Sequence, residues 1–247
     1  MLEVCVESVE GVRIALSAGA QRIELSERLE VGGVTPSQSL LRQALQLQES
    51  MWTELQQANS HHRPKNTVAL IRCRPGDFYF GETELQRMRD EAQTAVDIGC
   101  TGIAVGASVH GNDLNWDFLE SIAHRFPSVE RVVHRAFDLV PSPMLAIPRL
   151  IDMGYRRILT SGGAERAEDS VEQLREWQEA FGEKIEILPA GGISRSNATA
   201  ILNHSGCRQL HGSFRGNASD SQQSRLPAPD EIRAVRLQLD QWLTSHC

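Results

Sequence analysis

The 247-residue chain has no stretch of about 18 uninterrupted apolar residues, the least that a membrane-crossing helix needs. Its opening, MLEVCVESVEG, lacks a basic segment followed by a long apolar run, so no export signal is expected. Basic residues are outnumbered, 25 Lys and Arg against 32 Asp and Glu, for a formal charge of −7. An acidic chain without a basic stripe is a poor match for nucleic acid or an anionic membrane. Cysteine is sparse: Cys5, Cys73, Cys100, Cys207 and Cys247 are widely spaced, with no C-x-x-C or H-x-x-x-H pattern. An odd number without an export signal reads as free thiols in a reducing cytoplasm, and the sequons at Asn197 and Asn217 then read as chance matches. The segment that begins at Cys5, CVESVEG, also lacks the G-x-G-x-x-G turn of a dinucleotide site, so no nucleotide cofactor is expected.

Hydrophobic residues at 40% and charged residues at 23% are ordinary for a globular protein. Short runs rich in Val, Ile and Leu mark strands at 2–6, 22–25, 67–72, 102–106, 131–134, 157–160, 184–189 and 209–212. Helical-period segments fall between them, at 9–18, 36–55, 82–98, 116–126, 143–153, 169–181, 194–202 and 230–243. The last carries Ile232, Val235, Leu239 and Trp242 on one face. Strict alternation implies parallel strands joined by right-handed crossovers.

A faint repeat agrees with this. Gly19, Gly99, Gly154 and Gly206 each follow a helical run and stand four residues before an apolar residue that opens a strand. A helix end that turns through positive φ needs glycine there. The later glycines are roughly fifty residues apart, and the first interval is about 25 longer. The surplus falls in the polar, Gln-rich stretch 45–66, with His61 and His62, a pair that reads either as metal ligands or as solvated surface. The expectation is a single (β/α)8 barrel over 1–247, with an extended segment near 45–66 and a loop near 214–229.

In such a barrel the chemistry sits where the strands end. Strand period two puts Glu3 and Cys5 on one face, with Arg22 and Glu24 alike on the next strand. Inward carboxylates there are either members of an ion-pair network or general acids and bases. The third strand ends in Arg72, Cys73 and Arg74. The fifth ends in His134 and Arg135, followed by Asp138, and the sixth in Ser161 and Gly162. Glu3, Glu24, His134 and Asp138 are thus the candidate catalytic groups. The turns LPAGGIS and LHGSFRG, with Gly191, Gly192, His211, Gly212, Ser213 and Arg215, suit an anion, because Gly-rich turns and a helix N-terminus present backbone N–H groups. Arg72, Arg74 and Arg135 would add cations, and Ser161 and Gly162 further donors. Cys5 and Cys73 are the candidate soft metal ligands, which would suit Cu(I).

Taken in order, the pieces LEVCVESVEG, AGAQRIEL, GGVTPS, IRCRPGDF, HRAFD, RILTSGG and LHGSFR resemble the CutC family, from Met1 to about Arg215. The resemblance implies a TIM-type barrel, a cytoplasmic protein that self-associates as a homodimer or larger, and a role in Cu(I) binding. Ser26 stands where the family commonly has a cysteine, and Cys73 where it has a proline. Two functions stay open on the residues: copper homeostasis through Cys5, or a lyase- or isomerase-like enzyme for a small anionic or phosphorylated compound.

Overall fold

The computed structural model describes residues 1–57, 66–215 and 226–246. The His61–His62 pair, Asn217, Cys247 and most of the expected 214–229 loop lie outside them. Eight strands form one parallel sheet: β1 (Leu2–Val6), β2 (Arg22–Leu25), β3 (Thr67–Leu70), β4 (Gly102–Val105), β5 (Glu130–Val133), β6 (Arg157–Thr160), β7 (Glu186–Pro189) and β8 (Leu210–Gly212). Neighbouring strands pair in sequence order, and β8 returns to pair with β1. β7 and β8 lie against each other, so the sheet curls into a nearly closed barrel. Eight helices surround it: α1 (Val9–Ser17), α2 (Gln38–Gln57), α3 (Glu82–Ile98), α4 (Trp116–Arg125), α5 (Pro143–Asp152), α6 (Val171–Phe181), α7 (Ala198–Ser205) and α8 (Pro229–Ser245).

Local chemistry sets these elements. Ser8 caps α1 by accepting from the Gly11 amide at 3.1 Å, and Asn115 caps α4 by accepting from the Phe118 amide at 3.0 Å. The four glycines of the repeat all take positive φ as their helices end, from +69° at Gly206 to +113° at Gly99. Ile232, Val235, Leu239 and Trp242 of α8 are buried, as their spacing implies.

Most bounds shift by a residue or two, and two of the differences bear on the site. β3 stops at Leu70, because Arg72 turns into the loop and its amide donates to the Thr35 hydroxyl at 2.8 Å. α7 begins at Ala198 rather than at 194, because Asn197 accepts from the Ser194 amide at 2.8 Å and holds the chain in a turn first. Gly191 and Gly192 are therefore not a helix N-terminus.

Apolar packing falls into two layers. The larger lies between the helices and the outer face of the sheet. The smaller fills part of the barrel interior: Val68, Leu70, Ala104, Val132, Leu159, Leu188 and Ala190. These come from β3 to β7 at alternate positions, as strand period two requires. The inward positions of β1, β2 and β8 are instead Glu3, Cys5, Arg22, Glu24 and His211, all buried. The β8–β1–β2 part of the interior wall is thus polar, and that part carries the site.

Candidate functional site

Barrel register stacks the polar wall in two levels. At the lower level Glu3 pairs across the ladder with Arg22 on one side and His211 on the other. One level up, Cys5 stands beside Glu24.

The lower level is an ion-pair network. Glu3 accepts from Arg22, whose other nitrogen donates to Gln209 at 2.8 Å. Gln209 bonds Glu186 in turn. Arg157 reaches Glu186 at 2.7 Å and also Glu130. Glu3 and Arg157 interact electrostatically across the barrel. Burial alone would push the Glu3 carboxyl up, but Arg22 and His211 outweigh it and hold it well below the usual carboxylate range. Glu3 is therefore a fixed anion. It does not line the cavity above, so the expectation of an acid–base role is corrected to an anchoring one.

The anchored group is His211, whose Nδ1–H donates to Glu3 at 2.6 Å. That leaves Nε2 for the upper level, where His211 also hydrogen-bonds the Cys5 sulfur. Burial pulls the His211 imidazolium down, but Cys5, Glu3 and Glu24 together raise it well above its ordinary value. Metal-capable atoms of Cys5, Glu24 and His211 all lie within 4.8 Å of one another, and all three residues are buried. Burial pushes the Glu24 carboxyl up to about 7, His211 pulling down against it and Glu3 adding to it. Glu24 forms no hydrogen bond among the described residues.

Above this cluster opens a cavity of about 260 Å³. Cys5, Glu24 and His211 line its floor, and Arg72, His134, Arg135, Gly191, Gly192, Gly212, Ser213 and Arg215 its walls. A larger groove of about 880 Å³ runs between α2 and α3, but its acidic lining (Glu27, Glu82, Asp90 and Glu91) lies on the barrel's outside. The enclosed cavity is the better site because its polar groups are buried and convergent.

His134, one of the candidate catalytic groups, is held in a single tautomer. Its Nδ1 accepts from the Ala136 amide at 3.2 Å, so the ring hydrogen sits on Nε2. Burial, with the Arg72 charge adding to it, lowers its pKa to about 3. It is a neutral donor at physiological pH, not a base. A Cβ on Gly106 would come within 2.6 Å of the ring, so the glycine makes room for His134.

Other expected residues lie elsewhere. Cys73 does not approach Cys5. One residue past Arg72, it takes the opposite face and packs at the outer core, near Glu84, Glu91 and Arg87 of α3. Arg74 is drawn outward as well, to Glu84 at 2.6 Å and Asp77 at 3.1 Å. Asp138 is consumed by Arg135 of its own turn and by the end of β6. It accepts from the Ser161 hydroxyl and from Arg135, each at 2.8 Å, and from the Thr160 hydroxyl at 2.5 Å. Ser161 is fully buried in that clamp, and the Gly162 amide donates to Thr160 at 2.9 Å, so neither faces the cavity. Sequence reasoning missed two neighbours. Phe78 lies against the His134 ring with centroids 5.0 Å apart, and the Arg166 side chain lies over Gly192. Nothing in the pattern flagged them, since both come from irregular loops.

Comparison with known proteins agrees with the fold and names the family. The family model described as the CutC family matches residues 1–216. A protein named CutC from Caulobacter vibrioides is 32% identical over 216 residues, covering 87% of this chain and 82% of its own length. One from Rhizobium meliloti is 33% identical over 251 aligned positions, covering 97% of this chain and 96% of its own. A crystal structure of CutC from Streptococcus agalactiae, titled a copper homeostasis protein, superposes with a TM-score of 0.77 at 25% identity. It covers 86% of this chain and 98% of the other. The matched region takes in every strand of the barrel and the whole Cys5–Glu24–His211 cluster, and the chain belongs to the CutC family.

Proposed function

We propose that this chain binds Cu(I) in the cytoplasm, at Cys5 and His211 on the floor of the barrel cavity. The observation that carries the reading is the buried cluster of a thiol, an imidazole and a carboxyl within 4.8 Å. The donor set fits the ion: Cu(I) favours thiolate and imidazole, and two such donors suffice. His211 is held as metal-bound histidines are, its far nitrogen fixed by a carboxylate. Glu24 is a hard oxygen donor and completes the cluster as a neighbour rather than as the preferred ligand. Cys73 packs on the outer side of the wall, beside α3, and is not part of the cluster. Ser26, the other position where a thiol is expected from the resemblance, offers only a buried hydroxyl. The reading therefore rests on a single thiolate.

The unpaired state of Cys5, Cys73, Cys100 and Cys207 suits a reducing compartment. Among the described residues no helix is long and apolar enough to cross a membrane. The copper part of the reading is supported by the streptococcal CutC, which is described as a copper homeostasis protein.

Competition of the reduced protein against a chromophoric Cu(I) chelator tests the reading. One copper per chain is expected. Cys5→Ser should weaken it about 10–100-fold or abolish it, while Cys73→Ser leaves it unchanged. Wild-type affinity in Cys5→Ser would remove the site.

A further inference from the structure

The cavity walls carry a feature that a copper site at the floor leaves unused. His134 is buried, and its Nε2–H has no hydrogen-bond partner. The same is true of the Arg72 Nε–H, although Arg72 is also buried, its Nη1 donates to the Gly33 carbonyl at 3.1 Å and the Val31 carbonyl at 3.3 Å, and its Nη2 donates to the Gly76 carbonyl. An unmet buried donor is destabilising, so two beside one cavity call for an acceptor that enters it.

The surrounding groups have the same polarity. Arg135 is fixed by Asp138 and Ser161, yet its guanidinium carbon lies within 3.7 Å of where a Gly191 side chain would begin. Gly191 and Gly192 take φ of +91° and +73°, and their amides find no acceptor among the described residues. Any Cβ on Gly191 would meet the Glu165 carbonyl at 3.0 Å, so the bare backbone keeps this turn open. Arg72 and Arg215 make no ion pair among the described residues. The buried side-chain atoms of Arg72 and His134 left without a partner beside the cavity are thus both donors. Three guanidiniums gather over a floor with one carboxyl, in a chain whose formal charge is −7. A ligand that satisfies such a wall is rich in acceptors and negative. At about 260 Å³ the space admits a small molecule only.

We propose that the mouth of the barrel is a second ligand site, for a small oxyanion whose oxygens are taken by the Nε2–H of His134, the guanidiniums of Arg72 and Arg135, and the amides of Gly191 and Gly192. The shared chemistry is that of a phosphate ester or a carboxylate on a short carbon frame. His134 is the discriminating group. It adds a directed donor without charge and sits on the far wall from the Cys5 cluster. This inference does not rest on the copper reading.

Inorganic phosphate and acetate, titrated separately into the metal-free full-length protein, test it by ¹⁵N–¹H spectra of the histidine rings. A saturable shift of the His134 ring nitrogens by phosphate is expected, with His134→Phe weakening phosphate about tenfold or more in calorimetry. A response to acetate alone supports the site and assigns it to carboxylates. The proposal is overturned if neither anion perturbs His134 up to about 100 mM, a far weaker level than any built site shows. It is equally overturned if His134→Phe binds phosphate as tightly as the native chain. Should that variant fail to fold, the wild-type titration decides alone.

Discussion

Glu3 and Glu24 sit one level apart in the same barrel wall, both buried, and their surroundings drive them in opposite directions. Glu3 faces Arg22 and His211 across the ladder and is held ionised well below the usual range. Glu24 faces Cys5, has no hydrogen bond among the described residues, and is pushed up to about 7. Desolvation is the largest influence on each, so burial does not distinguish them. The difference lies in whether register supplies a cation. The lower level is an ion-pair network in which Glu3 and Arg22 meet and Arg157 meets Glu186 and Glu130, with only the Arg157 Nη1 left unpartnered. At the upper level Cys5 is bonded to His211, and Glu24 has no hydrogen bond among the described residues.

That contrast breaks most visibly at Glu3. Glu3→Gln would leave Arg22 buried without its anion and His211 without its anchor. A loss of about 3–5 kcal/mol is expected in urea unfolding. A loss below about 1 kcal/mol would show that the lower network contributes little.

Glu24→Gln should act the other way, and with pH. The Glu24 pKa of about 7 lies above the ordinary 4.5, so the native state holds the proton more tightly than the unfolded chain. Its contribution is fully present below pH 4.5 and is lost as pH rises through 7. Glutamine cannot ionise. The variant should match the native chain near pH 4 and exceed it at pH 8 by about 3 kcal/mol at most. Denaturant unfolding of the metal-free protein at the two pH values checks this. Equal stabilities at pH 8 would place Glu24 in the same class as Glu3.

Ser26, two positions past Glu24 on the same strand path, gives the smallest effect. It is fully buried, and its hydroxyl has no partner. Ser26→Ala should raise stability by about 1 kcal/mol, a Tm increase of about 2–4 °C by calorimetry. A decrease would mean that the hydroxyl is satisfied.

Much of this architecture was legible beforehand. Alternation of Val, Ile and Leu runs with helical spacing gave all eight strands and eight helices, and period two placed Glu3, Cys5 and Glu24 inside. The rim also gathers His134, Arg72 and Arg135 as their places at strand ends imply. Arg74, Cys73, Asp138 and Ser161 were not legible in this way. Each lies past the end of a strand, where alternation lapses and the loop decides direction. Arg74 turned out to Glu84, Cys73 turned to α3, and Asp138 closed on Ser161. The chemistry of His134 was equally hidden. A histidine's capacity as base or donor depends on its tautomer, which here follows from a backbone amide two residues on.

The chain by itself determined the alternation of strand and helix, the glycine turns, and which side chains face inward, because those follow from periods of two and 3.6 residues along a local stretch. Only the tertiary structure decided which inward groups meet. Glu3 and His211 are 208 residues apart and touch because β8 returns beside β1 as the barrel closes. Closure also removes water from Glu24 and supplies Arg22 to Glu3. The protonation of each carboxylate is therefore set by the enclosed whole and not by any segment that contributes to it.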